Sequence, residues 1–119
     1  MKVERADFVS VFTQDIQRAK RFYGETLGLE LETEGEHDLE FSLGQVTLDV
    51  FDPSSIGQTF APSPAGIALR VPDVEAARAQ LEAEGVEFVG ETQVTNVCRM
   101  AFFKDPDGNI LLLHRRFDS

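Results

Sequence analysis

The chain has 119 residues, 42% of them hydrophobic, and a formal net charge of −10. That length suits a single domain with a real core, and the hydrophobic share excludes a disordered chain. The acidic balance repels phosphate backbones and anionic lipid, so neither nucleic acid nor a membrane is expected as a partner.

No run approaches the length of apolar residues that spans a bilayer, and the opening MKVERADF lacks the apolar stretch of an export signal. The single cysteine, Cys98, rules out an internal disulfide, which fits a reducing cytoplasm. Two histidines and one cysteine are too few for a structural zinc cluster.

FVSVF at 8–12 is β-branched and aromatic with an alternating pattern, and predicts a strand. Asp15 suits a helix N-cap, and the helix that follows places Ile16, Ala19, Phe22, Tyr23 and Leu27 on one stripe. Gly24 weakens this helix and Gly28 ends it. LELETE, DLEFSL and QVTLDVF predict three further strands, with turns at Gly35 and Gly44. The Pro- and Ser-rich stretch from Pro53 to Pro64 supplies a linker, placed at 54–64.

The pattern then restarts. GIALRV at 66–71 predicts a strand, Asp73 caps VEAARAQLEAE, and Gly85 ends that helix. VEFVGE, VCRMAFF and NILLLHRR predict three more strands. Each half is thus βαβββ, over 3–53 and 65–117. The interval from Phe8 to Asp15 equals that from Gly66 to Asp73, and a repeated offset of this kind signals an internal duplication. One helix covers one face of each four-stranded sheet, so the other face must meet a partner or enclose something. The predicted class is α+β, with two βαβββ modules forming a curved mixed sheet around a cavity.

DIQRAKRFYGETLGL at 15–29, IALRVPDVEAA at 67–77 and FKDPDGN at 103–109, taken with the doubled order, resemble the vicinal oxygen chelate superfamily of glyoxalase, bleomycin-resistance and extradiol-dioxygenase-like proteins. The resemblance covers almost the whole chain. It implies the fold and a homodimer, but not one activity, because the superfamily spans enzymes and non-catalytic drug binders. Metal-dependent members carry one ligand on the first and last strand of each half. Residue by residue, those positions fall here on Phe8, Asp49, Gly66 and Leu112. Only Asp49 offers a donor, whereas divalent cations require several donors converging at about 2.0–2.6 Å. No bound metal and no cofactor are expected.

Strand alternation extends this assignment to whole faces. Phe8, Ser10 and Phe12 share a face, as do Thr47, Asp49 and Phe51, and Gly66, Ala68 and Arg70. On the last strand Ile110, Leu112 and His114 do so. A five-residue loop DPDGN pairs Lys104 with Ile110, Phe102 with Leu112 and Met100 with His114, which adds Cys98, Met100 and Phe102; a four-residue loop adds Arg99, Ala101 and Phe103 instead. The first register places an aromatic contact at Phe102 and makes Cys98 and His114 diagonal neighbours.

The expected ligand site is mostly apolar, from Phe8, Phe12, Phe51, Met100, Phe102 and Leu112. Its polar set is Ser10, Asp49, Arg70, Cys98 and His114. Such a mixture suits a small organic ligand, with the phenylalanines stacking on a planar one. Each polar group also has a plainer reading. Cys98 beside His114 is a candidate catalytic thiolate or a buried hydrophobe. Asp49 orients a ligand amine or bonds across its sheet. Arg70 clamps an anion or reaches solvent. His37, within EGEHDLE, reads as a solvated loop residue. Asp105, Pro106, Asp107, Gly108 and Asn109 read as turn chemistry, with Pro presetting φ and Gly and Asn tolerating positive φ.

Three readings follow: a metal-free binder of hydrophobic or aromatic compounds; a lyase- or dioxygenase-type enzyme using Asp49 and His114 with a metal, or Cys98 and His114 without one; and a protein whose inner face is packed solid.

Overall fold

The computed structural model describes residues 1–118. The chain forms two compact units, Met1–Pro62 and Ser63–Ser119. Each contains one four-stranded mixed sheet with a helix on one face, in the order strand, helix, three strands.

In the first unit β1 (Phe8–Phe12) leads into α1 (Ile16–Arg21), followed by β2 (Leu31–Glu34), β3 (Asp38–Ser42) and β4 (Thr47–Phe51). The sheet order is β1-β4-β3-β2, with β1 parallel to β4 and the other pairs antiparallel. Asp15 caps α1 as its side chain accepts from the Arg18 N–H at 3.0 Å. The expected single helix instead widens after Arg21 into a π turn over Phe22–Thr26, where the Leu27 N–H bonds to the Phe22 carbonyl at 2.9 Å. The segment ends at Gly28, φ 71°. Ala19, Phe22 and Tyr23 lie buried, as do Val11, Leu39, Phe41, Leu48 and Val50 on the sheet. The Tyr23 and Phe41 rings sit 5.8 Å apart. Alternation thus places Val11, Leu39, Phe41, Leu48 and Val50 on the helix side.

Residues 53–56 are not plain linker. They form a short 3-10 turn, Pro53–Ile56, capped by Asp52 through the Ser54 N–H.

In the second unit β5 (Ile67–Arg70) precedes α2 (Val74–Ala83), then β6 (Phe88–Val94), β7 (Cys98–Lys104) and β8 (Ile110–Arg116). The order β5-β8-β7-β6 repeats that of the first sheet. Asp73 caps α2 through the Ala76 N–H at 3.0 Å, matching the role of Asp15. Buried Val74 and Leu81 of α2 mark its core side, and Ala101, Phe103, Leu111 and Leu113 are the buried sheet residues beneath. β6 bulges between Val89 and Gln93. Arg78 of α2 anchors that bulge, donating to the Gly90 carbonyl at 2.9 Å and lying 4.7 Å over the Phe88 ring.

The β7–β8 hairpin takes the five-residue-loop register: Lys104 pairs with Ile110, Phe102 with Leu112 and Met100 with His114. Its turn is a buried polar knot. Asp105 Oδ1 accepts from the N–H groups of Asp107 and Asn109, and Asn109 Nδ2 donates to Asp105 Oδ2 at 2.8 Å. Asn109 Oδ1 accepts from the Ser63 N–H at 2.8 Å. Asn109 does not adopt positive φ, contrary to the turn reading; Gly108 does, at 89°. The asparagine is there for its amide.

Candidate functional site

In the first unit, Phe8, Ser10 and Phe12 pair respectively with Thr47, Asp49 and Phe51. These six residues share the face turned away from α1. Phe8 is 58% exposed, and the Phe12 and Phe51 rings lie 6.3 Å apart. The β3–β4 register adds two acids that the sequence reading did not single out: Glu40 stands directly beside Asp49, and Asp38 is diagonal to it. The alternation of DLEFS carries that signal, because Asp38 and Glu40 occupy the positions opposite to buried Leu39 and Phe41.

Asp49 Oδ2 accepts a hydrogen bond from Ser10 Oγ at 3.4 Å, while Oδ1 is shielded from solvent and accepts none while the neighbouring acids are ionised. Burial, first, pushes the Asp49 pKa up to about 6; the hydrogen bond available with Asp38 when one of the pair is protonated adds to this. The charges of Asp38 and Glu40 raise it further, and the Ser10 hydroxyl opposes them.

A carboxyl whose folded pKa exceeds its unfolded value binds more protons folded than unfolded between those values. Its contribution to stability therefore falls as pH rises from about 4 to about 6. Asp49→Asn removes this penalty. The variant is expected to be more stable than the parent above pH 6 by on the order of 1 kcal/mol, after discounting for solvent screening, with the gap closing towards pH 4. Denaturant unfolding across that range checks it; a variant less stable at pH 7 contradicts it.

In the second unit, Ala68 pairs with Leu112 and Arg70 with His114, while β7 places Phe102 beside Leu112 and Met100 beside His114. All six share the face turned away from α2. Gly66, φ 80°, opens this sheet, and a Cβ built on it would stand 3.3 Å from Leu112 Cδ2, with Ile110 and Phe102 around it. The two positions that the resemblance marks for cation ligands in this unit are therefore a bare glycine and a leucine in near contact.

Cys98 lies on the same face, 6% exposed, directly across from Arg116 and diagonal to His114. The polar group beside its sulfur is Thr95 Oγ1 at 3.4 Å. His37 is exposed, 3.8 Å from Glu36.

The donor set does not fit a divalent cation. Phe8, Gly66 and Leu112 offer no ligand atom, and among the described residues no group of three His, Cys, Asp or Glu side chains is placed to hold an ion.

The duplicated order and matched sheets agree with the family comparison. Residues 5–113 match the model of the Glyoxalase/Bleomycin resistance protein/Dioxygenase superfamily. The chain belongs to that superfamily. Among its relatives, the uncharacterized protein YetH of Bacillus subtilis (strain 168) is 27% identical over 93% of this chain and 98% of its own. Two solved structures from Streptomyces sp. CB03234 are similar throughout. TnmS3, an antibiotic binding protein, is 31% identical with a TM-score of 0.78, covering 98% of each chain. A glyoxalase/bleomycin resistance protein is 32% identical with a TM-score of 0.73, covering 93% of this chain and 100% of the other. No described helix is long and apolar enough to cross a membrane.

Proposed function

We propose that the chain is a cytoplasmic, metal-free small-molecule-binding protein of this superfamily that takes hydrophobic or aromatic compounds. The observation that carries this reading is the replacement of cation donors by apolar groups in contact: Leu112, Ile110 and Phe102 crowd the Gly66 position. Phe8, Phe12 and Phe51 provide ring surface on the first sheet, and Phe102 and Met100 on the second. Apolar area of this kind binds through desolvation, with a few polar groups fixing orientation. TnmS3, an antibiotic binding protein by description, supports a binding role over a catalytic one.

The thiol-based reading is weaker, because Cys98 is buried and faces Arg116 rather than His114. The resemblance extends the proposal to a homodimer, for which sedimentation equilibrium is the check: a mass of 13.2 kDa at high protein concentration contradicts it.

Thermal unfolding against a panel of polycyclic and monocyclic aromatic compounds tests the binding role. Several members of the panel are expected to raise the midpoint in a dose-dependent way. A panel without any effect contradicts the proposal and favours a solidly packed inner face.

A further inference from the structure

Acidic residues outnumber Lys and Arg by 21 to 11, so carboxylate partners are plentiful for the basic side chains. Arg5, Lys20, Arg78, Lys104 and Arg116 all form ion pairs. Arg21, Arg70 and Arg99 form no ion pair with any described residue, and Arg70, the exposed last residue of β5, makes no side-chain hydrogen bond there either. Its direct cross-strand neighbour is His114, half-buried, whose ring nitrogens also have no partner among the described residues. Two adjacent donor groups thus stand together on the face turned away from α2. Next along the strands lies the apolar row of Ala68, Leu112 and Phe102, one side-chain repeat or about 6–7 Å distant. Met100 lies beside His114 at the junction.

We infer that this face binds an aromatic carboxylate: its ring on Leu112 and Phe102, its carboxylate held by Arg70 with His114 as second donor. The inference rests on the binding role proposed above and narrows it to one ligand class. The guanidinium fork matches a carboxylate in two parallel hydrogen bonds, which a neutral amide cannot reproduce. The spacing between the polar pair and the apolar row matches a ring carrying a short acid arm. Arg116, also on this face, does not compete for the role, since its guanidinium is engaged by Asp118 at 3.1 Å.

The test uses three probes with one ring system: 2-naphthylacetate, 2-naphthylacetamide and 2-(2-naphthyl)ethylammonium. Affinities are measured by NMR titration of the full chain at low salt. The acid is expected to bind at least about tenfold more tightly than the amide, the range for a hydrogen-bonded charge. Arg70→Gln is expected to erase that ratio by weakening the acid more than the amide; Arg70→Lys restores part of it. The folded state of each variant is checked by its own amide spectrum. Equal binding of acid and amide, or tighter binding of the ammonium, overturns the carboxylate assignment and leaves the binding role standing. A preference for the acid that survives Arg70→Gln also overturns it. No binding by any of the three contradicts both.

Discussion

Phe103→Ala is expected to cost about 4 kcal/mol of stability, whereas Phe102→Ala, one residue away, costs about 1 kcal/mol. Phe103 is fully buried on the helix side of its sheet, paired with Phe88 and Leu111, and its ring lies 5.4 Å from that of Phe88. Truncation leaves a cavity that the Phe88 and Arg78 stack cannot fill without releasing the β6 bulge. Phe102 is only half-buried, on the opposite face beside Leu112, so its loss removes less area from water. The order reverses for binding. Phe102→Ala is expected to weaken an aromatic ligand by roughly tenfold, by removing the ring on which it rests. Denaturant midpoints and ligand titrations on the two variants read both effects. Equal destabilisation by the two substitutions contradicts the face assignment, since a one-residue slip would exchange their environments.

Asn109→Ala is expected to cost about 3 kcal/mol, unusual for a residue in a surface hairpin. The side chain is fully buried and works on both sides: Oδ1 takes the Ser63 N–H, and Nδ2 gives to Asp105 Oδ2, each at 2.8 Å. Alanine removes both bonds and takes one partner from Asp105, which is 5% exposed, and the loss of a buried polar group's partner costs roughly 1–3 kcal/mol. Ser63 also receives the Ile110 N–H at 2.9 Å, so the segment leading to β5 is expected to loosen with it and to become more sensitive to protease. Asn109→Asp is expected to be no better, because it sets a second carboxylate against Asp105. Loss of less than about 0.5 kcal/mol in the alanine variant, the level of an ordinary surface change, contradicts the account.

The parts legible in the sequence are those with strong local codes. Asp15 and Asp73 sit at equal intervals from their preceding strands, and both cap helices as that spacing predicts. Alternation assigned Phe8, Ser10 and Phe12 to one face and Val11 to the other. Of the two registers open to the last hairpin, the favoured one, with DPDGN as a five-residue loop, is the one adopted. Other features escaped for physical reasons. The stripe through Ile16, Ala19, Phe22 and Tyr23 is compatible with either helical period over so few turns, so the π turn left no trace. Asn109 has the residue type of a turn former, and nothing local says that its amide is spent on Ser63, distant in sequence. Asp38 and Glu40 read as solvated charges until the β3–β4 register sets them against Asp49 and raises its pKa. The unpaired state of Arg70 is a property of its neighbours, not of its own segment.

The claim at the centre of the account is that recognition here rests on apolar surface where metal-dependent relatives use cation ligands. The affinity of an aromatic ligand, measured in a strong chelator and again with added manganese, nickel or zinc, tests it most directly. The predicted result is the same affinity in every condition. Binding that vanishes in chelator and returns with one equivalent of a divalent ion would contradict it.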